Sequence, residues 1–401
     1  MKENKFALAG YCILTAALLM FGFFPGCQAD QDENVDDDTT DDDGSPADDD
    51  AVDDDTTPND DDTTDEIYFA EQDLFVNHVD GYNVFRIPSI IETTQGTLLA
   101  FCEGRDSIAD DGNIDLVMKR SFDNGKTWTD LQVIIDNGPD TAGNPAPVVD
   151  RDTGTIWLPY CTNPAYDMNN RRVFITHSND DGETWAASTD ITDMVTREGW
   201  TWYATGPGRS IQLGSGRFIV PCNHRDTISG TANSHIIYSD DGINWHIGGI
   251  LGPDTDESQV AELEDGSLLI NMRDLSDVHR RQIARSYDEG LTWTVTTYDE
   301  ALPDPSCQGS LLETPFGLLF SNPVGEISIL RHNLTVRLSE DGGETWAVSK
   351  TLHAGPAAYS ALSLLPEGRL GCLYENGEFP FLPYKRITLA VFSLRWLQEP
   401  E

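Results

Sequence analysis

From Ile67 onward the chain reads as short apolar runs broken by Gly, Asn and Asp. Leu-Ala-Phe-Cys102, Pro-Tyr-Cys161, Val-Pro-Cys222 and Gly-Cys372-Leu-Tyr are examples. Long helical periodicity is scarce, so the pattern predicts strands joined by tight turns. Superimposed on it is an internal repeat. Ser121-Phe-Asp123-Asn-Gly125-Lys-Thr-Trp128 recurs as Ser178-Asn-Asp180-Asp-Gly182-Glu-Thr-Trp185, as Ser286-Tyr-Asp288-Glu-Gly290-Leu-Thr-Trp293 and as Ser339-Glu-Asp341-Gly-Gly343-Glu-Thr-Trp346. A worn copy, Tyr238-Ser-Asp240-Asp-Gly242-Ile-Asn-Trp245, puts Tyr for Ser and Asn for Thr. The first positions are 57, 60, 48 and 53 residues apart, the length of one four-stranded propeller blade. Asp and Ser satisfy backbone amides in a tight turn, Gly supplies a positive φ, and Trp fills the space beneath. These are hairpin turns rather than metal or acid sites, because the same turn chemistry recurs in each. Five copies, with one stretch before and one after, predict an all-β fold, a six-bladed β-propeller.

Two N-terminal stretches break this pattern. Lys2 and Lys5 precede residues 6–24, which are mostly apolar, and Phe24-Pro25-Gly26-Cys27 follows. Residues 1–27 therefore read as an export signal. Gly before Cys resembles a bacterial lipobox with lipid on Cys27, although Phe24 and Pro25 stand where Leu and a small residue are usual. An ordinary cleaved signal and an uncleaved anchor are the alternatives. The expected location is outside the cytoplasm, as a membrane-anchored lipoprotein facing the periplasm or the cell surface, or else secreted. Residues 28–66 repeat Asp-Asp-Asp and Thr-Thr with Pro and Gly. Such a stretch cannot bury enough apolar surface to offset ordering, so it reads as an extended disordered linker. It lacks the loop grammar of a specific calcium site. Residues 67–401 are the expected propeller domain.

The formal net charge is -44 for 401 residues. Residues 30–66 contribute 18 Asp, 2 Glu and no Lys or Arg, and the remainder is acidic as well. With no basic stripe, nucleic acid and anionic membrane surfaces are unsuitable partners. An anion site in this chain must be a strong local exception. Cys102, Cys161, Cys222, Cys307 and Cys372 include no Cys-x-x-Cys pair, so no zinc site is indicated. They read as buried free thiols, with one disulfide left open.

The local exception is a set of three arginines. Arg86 lies in Phe85-Arg86-Ile87-Pro88, Arg273 ends the run from Glu257, and Arg331 opens Arg331-His-Asn-Leu-Thr-Val-Arg-Leu. Three guanidiniums converging on one point would clamp a planar carboxylate, since each is a rigid, permanently charged fork of donors. Taken with Gly355-Pro-Ala-Ala-Tyr359-Ser and the Asp-box repeats, these segments resemble the exo-α-sialidase (neuraminidase) family, from about Phe75 to about Trp396. The resemblance implies that Arg86, Arg273 and Arg331 bind the sialic acid carboxylate and that Glu375, in Leu-Tyr-Glu375-Asn-Gly, holds Arg86. It further implies Tyr359 as nucleophile, Glu257 as its base, and Asp110 as acid/base on the leaving glycoside, with Asp111 as the adjacent competitor. Arg105 resembles a residue at the edge of the sugar pocket. No cofactor and no metal is implied. The partners implied are sialylated glycans (glycoproteins, gangliosides, oligosaccharides), with hydrolysis proceeding with retention through a covalent tyrosyl intermediate.

A tyrosine nucleophile suits this substrate. The anomeric carbon carries its own carboxylate, which would repel an attacking carboxylate but not a neutral phenol. A phenol titrates near 10 and needs an adjacent base. The leaving oxygen needs a proton near neutral pH, which predicts a raised pKa for Asp110. Transfer of the sugar to another glycan or to one of its own hydroxyls would use the same residues, and a non-catalytic sialoglycan-binding propeller is a third reading. Trp200, Trp202 and Tyr203, before Gly206-Pro-Gly208-Arg209, are candidates either for the apolar pocket around the N-acyl group or for packing between blades.

Overall fold

Continuous apolar runs such as Leu98-Leu-Ala-Phe-Cys102 become strands buried on both faces, because each sheet is sandwiched between two neighbours. In a computed structural model, residues 66–325, 330–378 and 382–400 are described. The expected signal peptide, Cys27 and nearly all of the linker lie outside the described residues.

The first strand, β1 (Phe69–Val76), belongs to the last blade. Blade 1 comprises β2 (Val84–Glu92), β3 (Leu98–Arg105), β4 (Ile114–Ser121) and β5 (Gln132–Ile135). Blade 2 comprises β6 (Thr141–Gly143) and β7 (Val148–Val149) as its inner edge, then β8 (Ile156–Asn163), β9 (Arg172–Ser178) and β10 (Thr189–Asp190). Blade 3 has β11 (Trp200–Thr205) and β12 (Ile211–Gln212) inside, then β13 (Phe218–Asp226), β14 (Thr231–Ser239) and β15 (His246–Leu251). Blade 4 runs β16 (Thr255–Glu262), β17 (Leu268–Asp274), β18 (Arg280–Ser286) and β19 (Thr297–Pro303). Blade 5 contains β20 (Ser310–Thr314), β21 (Gly317–Pro323), β22 (His332–Ser339) and the first half of β23 (Val348–Leu364). The second half of β23 is the inner strand of blade 6, followed by β24 (Leu370–Asn376), β25 (Arg386–Phe392) and, outermost, β1. The antiparallel β1–β25 pair, from Phe69↔Phe392 to Val76↔Arg386, closes the six-bladed propeller.

Six apolar clusters occupy the six seams between blades. Leu99 and Phe101 of β3 join Ile156 and Leu158 in the seam to blade 2. Ala100 and Cys102 of the same strand join Leu373 and Leu389 in the seam to blade 6. The period-two alternation of a strand thus feeds two cores at once, which is why these strands carry no polar face. All five cysteines of the described residues are buried and free, four of them in these seams.

The repeats turn the outer hairpins, at the ends of the strands opposite the candidate site. In the first, Ser121 Oγ donates to Asp123 Oδ1 at 2.9 Å, while the Gly125 and Thr127 amides donate to Ser121 Oγ and Asp123 Oδ1 at 2.9 and 2.8 Å. These bonds fix the turn from within. The worn copy has a different register from the one read in the sequence. Ser239 and Asp241, not Tyr238 and Asp240, fill the Ser and Asp roles, since Gly242, Ile243 and Asn244 donate to Ser239 Oγ and Asp241 Oδ1. This turn is one residue shorter, which moves the bonding aspartate by one place and frees Asp240 to pair with Arg217 at 2.7 Å.

Candidate active site

The site is assembled from strand ends of blades 1, 4, 5 and 6. Arg86 stands near the start of β2, where the ladder to β3 skips between Arg86 and Ser89. Pro88 has no N–H to donate there. Ile87 takes φ +61°, a conformation that costs a β-branched residue strain and marks an over-determined position. Buried Glu375, from β24, holds this bulge. Its Oε1 accepts from Arg86 Nε and from the Ile87 amide, both at 2.9 Å, and its Oε2 accepts from the Tyr359 amide at 3.2 Å. One carboxylate thus ties the first arginine to the strand carrying Tyr359. Burial works against the Arg86 charge, but Glu375 outweighs it and keeps the guanidinium firmly ionised.

Tyr359 lies just past the point where β23 crosses from blade 5 to blade 6, and is 6% exposed. Its hydroxyl donates to Glu257 Oε1, from the start of β16. Glu257 Oε2 accepts from Arg273 Nη1 at 2.8 Å, and that same Nη1 lies 3.4 Å from the Tyr359 hydroxyl. Arg331 sits 5.5 Å over the Tyr359 ring and donates to the Ser306 carbonyl at 2.7 Å. Burial and the Glu257 charge push the phenol pKa well up, with Arg273 and Arg331 opposing them. The hydroxyl is therefore neutral and relies on Glu257 to lose its proton. Asp256, beside Glu257, is pushed up to about 6, chiefly by burial.

Asp110 lies on the exposed loop between β3 and β4. Arg105 Nη1 donates to its Oδ1 at 2.9 Å, and Arg86 Nη1 lies 3.7 Å away. Burial favours the protonated form, yet the charges of Arg105 and Arg86 win and hold the carboxyl below its usual range. This corrects the raised pKa expected from the chemistry. Two guanidiniums outweigh the desolvation of a side chain that is 58% exposed. Asp111 makes no comparable contact to the arginines.

The structure thus brings together Arg86, Arg105, Asp110, Glu257, Arg273, Arg331, Tyr359 and Glu375. Several neighbours carried no signal in the sequence. Tyr384 lies under Arg86, 4.2 Å from its guanidinium, and its hydroxyl accepts from Arg331 at 3.2 Å. Ser306, at φ +54°, offers Oγ to Arg273 and its carbonyl to Arg331. Glu103, 3% exposed, binds Arg105 Nε at 2.7 Å. Beneath the mouth, Gln308 bridges to both the amide and the carbonyl of Ser360, which ties blade 5 to blade 6.

The aromatic trio divides. A register shift in β11 between Trp200 and Tyr203 puts both on the buried side. Trp200 stacks on His224 at 3.5 Å, and the Tyr203 hydroxyl bonds His235 at 3.0 Å in the seam of blades 2 and 3. Burial drives the pKa of both histidines down, His224 to about 4, so they pack as neutral rings. Only Trp202 turns away, toward Arg171.

A cavity of about 1180 Å³ opens at the opposite end of the strands, lined by Glu92, Glu262, Glu264 and Glu313 together with Arg151 and Arg209. It contains no hydroxyl–carboxylate pair of the Tyr359–Glu257 kind, and its acidic lining would repel an anion.

The BNR repeat-like domain model matches residues 96–372. A sialidase of Micromonospora viridifaciens is 35% identical over 83% of this chain and 55% of its own length. A sialidase of Bacteroides fragilis (strain YCH46) is 32% identical over 74% of this chain and 61% of its own. The chain therefore spans a little over half the length of these two relatives. Among solved structures, the Hadza microbial sialidase Hz136 superposes with a TM-score of 0.71 at 29% identity, covering 79% of this chain and 67% of that one. With that repeat model and these relatives, the chain belongs to the sialidase family.

Proposed function

We propose that this protein is an exo-α-sialidase that removes terminal α-ketosidic sialic acid from glycoconjugates with retention. The observation that carries this reading is the Tyr359 hydroxyl bonded to Glu257 amid three arginines. Arg86, Arg273 and Arg331 would grip the sugar carboxylate and place the anomeric carbon against Tyr359. Glu257 takes the phenolic proton as the tyrosyl oxygen attacks, and Asp110 gives a proton to the departing glycosidic oxygen. Water, deprotonated by Asp110, then attacks the anomeric carbon. The tyrosyl oxygen leaves and recovers its proton from Glu257, so both carboxyls return to their starting states. The substrate carboxylate offsets the Arg86 charge that holds Asp110 ionised, which favours the protonated form when it is needed.

The test is hydrolysis of a fluorogenic sialoside by residues 67–401, beside Tyr359→Phe. Wild type should release free sialic acid, and the variant should lose at least about 10³-fold in kcat with an unchanged melting temperature. An anhydro or transferred product would reassign the chain to transfer, and tight binding without turnover to glycan recognition. We also infer export and lipid attachment at Cys27. Cys27→Ser should release the protein from the membrane fraction, and unchanged fractionation would refute the anchor.

A further inference from the structure

Two of the three clamp arginines rest on one short turn. Arg273 Nε and Nη2 both donate to Ser306 Oγ at 3.3 Å, and Arg331 Nη2 donates to the Ser306 carbonyl at 2.7 Å. The second acceptor for Arg331, the Tyr384 hydroxyl, is neutral as well, so its charge remains for a ligand carboxylate. Ser306 sits at φ +54°, a conformation that a residue other than glycine keeps only where its surroundings impose it.

What imposes it is a buried ion pair behind the clamp. Asp304 and Arg281 are both 0% exposed and lie 3.0 Å apart. Asp304 Oδ1 accepts from the Cys307 amide at 3.0 Å, which closes the turn around Ser306. Its Oδ2 accepts from the Asp274 amide at 2.8 Å, which fixes the backbone beside Arg273. Arg281 Nη1 adds a bond to the Cys307 carbonyl at 2.7 Å, and its Nε is anchored on Asn271 Oδ1 at 2.6 Å. One carboxylate thus fastens the end of β17, the start of β18 and the link from β19 to β20, across blades 4 and 5. This is not what a core arranged for stability alone would hold. Two buried charges are costly to desolvate, and Arg281 Nη2 is left buried without a partner. Glu375 has the same form in blade 6, a buried carboxylate joined to one arginine and two amides. The difference is that Glu375 touches a clamp arginine directly, whereas Asp304 reaches two of them through Ser306.

Building on the sialidase reading, we propose that Asp304 is a positioning residue for the substrate carboxylate, setting Arg273 and Arg331 through the Ser306 turn as Glu375 sets Arg86. The test is calorimetric binding of two ligands to the full-length protein. One is the 2,3-unsaturated analogue of sialic acid, and the other is its carboxamide, which keeps the ring and offers the clamp no charge. Wild type should prefer the acid by at least about 10²-fold. Asp304→Asn keeps the side-chain shape and removes the charge. It should weaken the acid on the order of 10- to 100-fold and the carboxamide by no more than about threefold, so the preference collapses. If that variant does not fold because Arg281 has lost its anion, the double variant Asp304→Asn/Arg281→Met buries no unpaired charge and should show the same collapse. Ser306→Ala removes only the acceptor for Arg273. It should weaken the acid alone, by about 5- to 10-fold, at an unchanged melting temperature. Equal losses on both ligands, or no loss on either, would overturn the positioning role while the wild-type preference for the acid upholds the function. A wild type without that preference would overturn the clamp, and the function and this inference with it.

Discussion

The two ends of the propeller use the same residue types in opposite ways. At the Asp-box end the bonding aspartate of each repeat is satisfied by its own turn. Asp180 accepts from the Thr184 hydroxyl, from the Thr184 amide at 2.9 Å and from Ser178 at 2.7 Å, and these bonds pull its pKa to about 2. At the mouth the nucleophile and the first clamp arginine are held by residues far away in the chain. Glu375 binds Arg86 across 289 positions, and Glu257 binds Tyr359 across 102. A local network repeats because any blade can build it alone. A distributed network occurs once, because it needs several blades in place, and its groups remain free to meet a ligand. Stability should therefore respond to either end, and turnover only to the mouth.

The sharpest challenge to that contrast is Glu375→Gln. It leaves buried Arg86 without its anion and loosens the Ile87 bulge. We expect about 3–5 kcal/mol of lost stability, read by denaturant melts, together with a fall in kcat/KM of at least about 10²-fold. A stable, fully active variant would show that the clamp does not depend on this carboxylate. Gly242→Ala probes the other end. Gly242 has φ +73°, and a Cβ there would come within 2.4 Å of Trp157. About 1–3 kcal/mol should be lost with kcat/KM unchanged, and a matching loss of activity would break the separation of the two ends. The smallest effect is electrostatic. Arg105 holds Asp110 below its usual range, so Arg105→Gln should raise that pKa. Because Asp110 must carry a proton to act as acid, the alkaline limb of kcat/KM should move to higher pH. An unmoved or lowered limb would show that Asp110 does not govern it.

Much of the site was legible because each segment carries its own local wording. The arginine-bearing Phe85-Arg86-Ile87-Pro88, the Gly355-to-Tyr359 block and Glu375 are short, and each was placed from the chain alone. What failed to read was whatever depends on a neighbouring blade. Tyr384, Glu103 and Arg171 are ordinary residues in the text, and their meaning comes from what lies opposite them. The Trp200, Trp202 and Tyr203 trio looked like one feature. A single register shift in β11 sends two of them into a seam and one to the mouth. The worn Asp box misled by one residue for a related reason, since hydrogen bonds rather than letters define the turn.

The sequence by itself determined the repeat, the blade length, the all-β architecture and the identities of Arg86, Arg105, Asp110, Glu257, Arg273, Arg331 and Glu375 at the mouth. Strand alternation and turn chemistry are local, and they leave their pattern in every blade. Only the tertiary structure decided how those charges act. Asp110 is ionised rather than protonated in the free protein, Tyr359 is kept neutral against Glu257, and Arg171 stacks on Trp202. Protonation and pairing depend on distance and burial, and these are set when the ring closes.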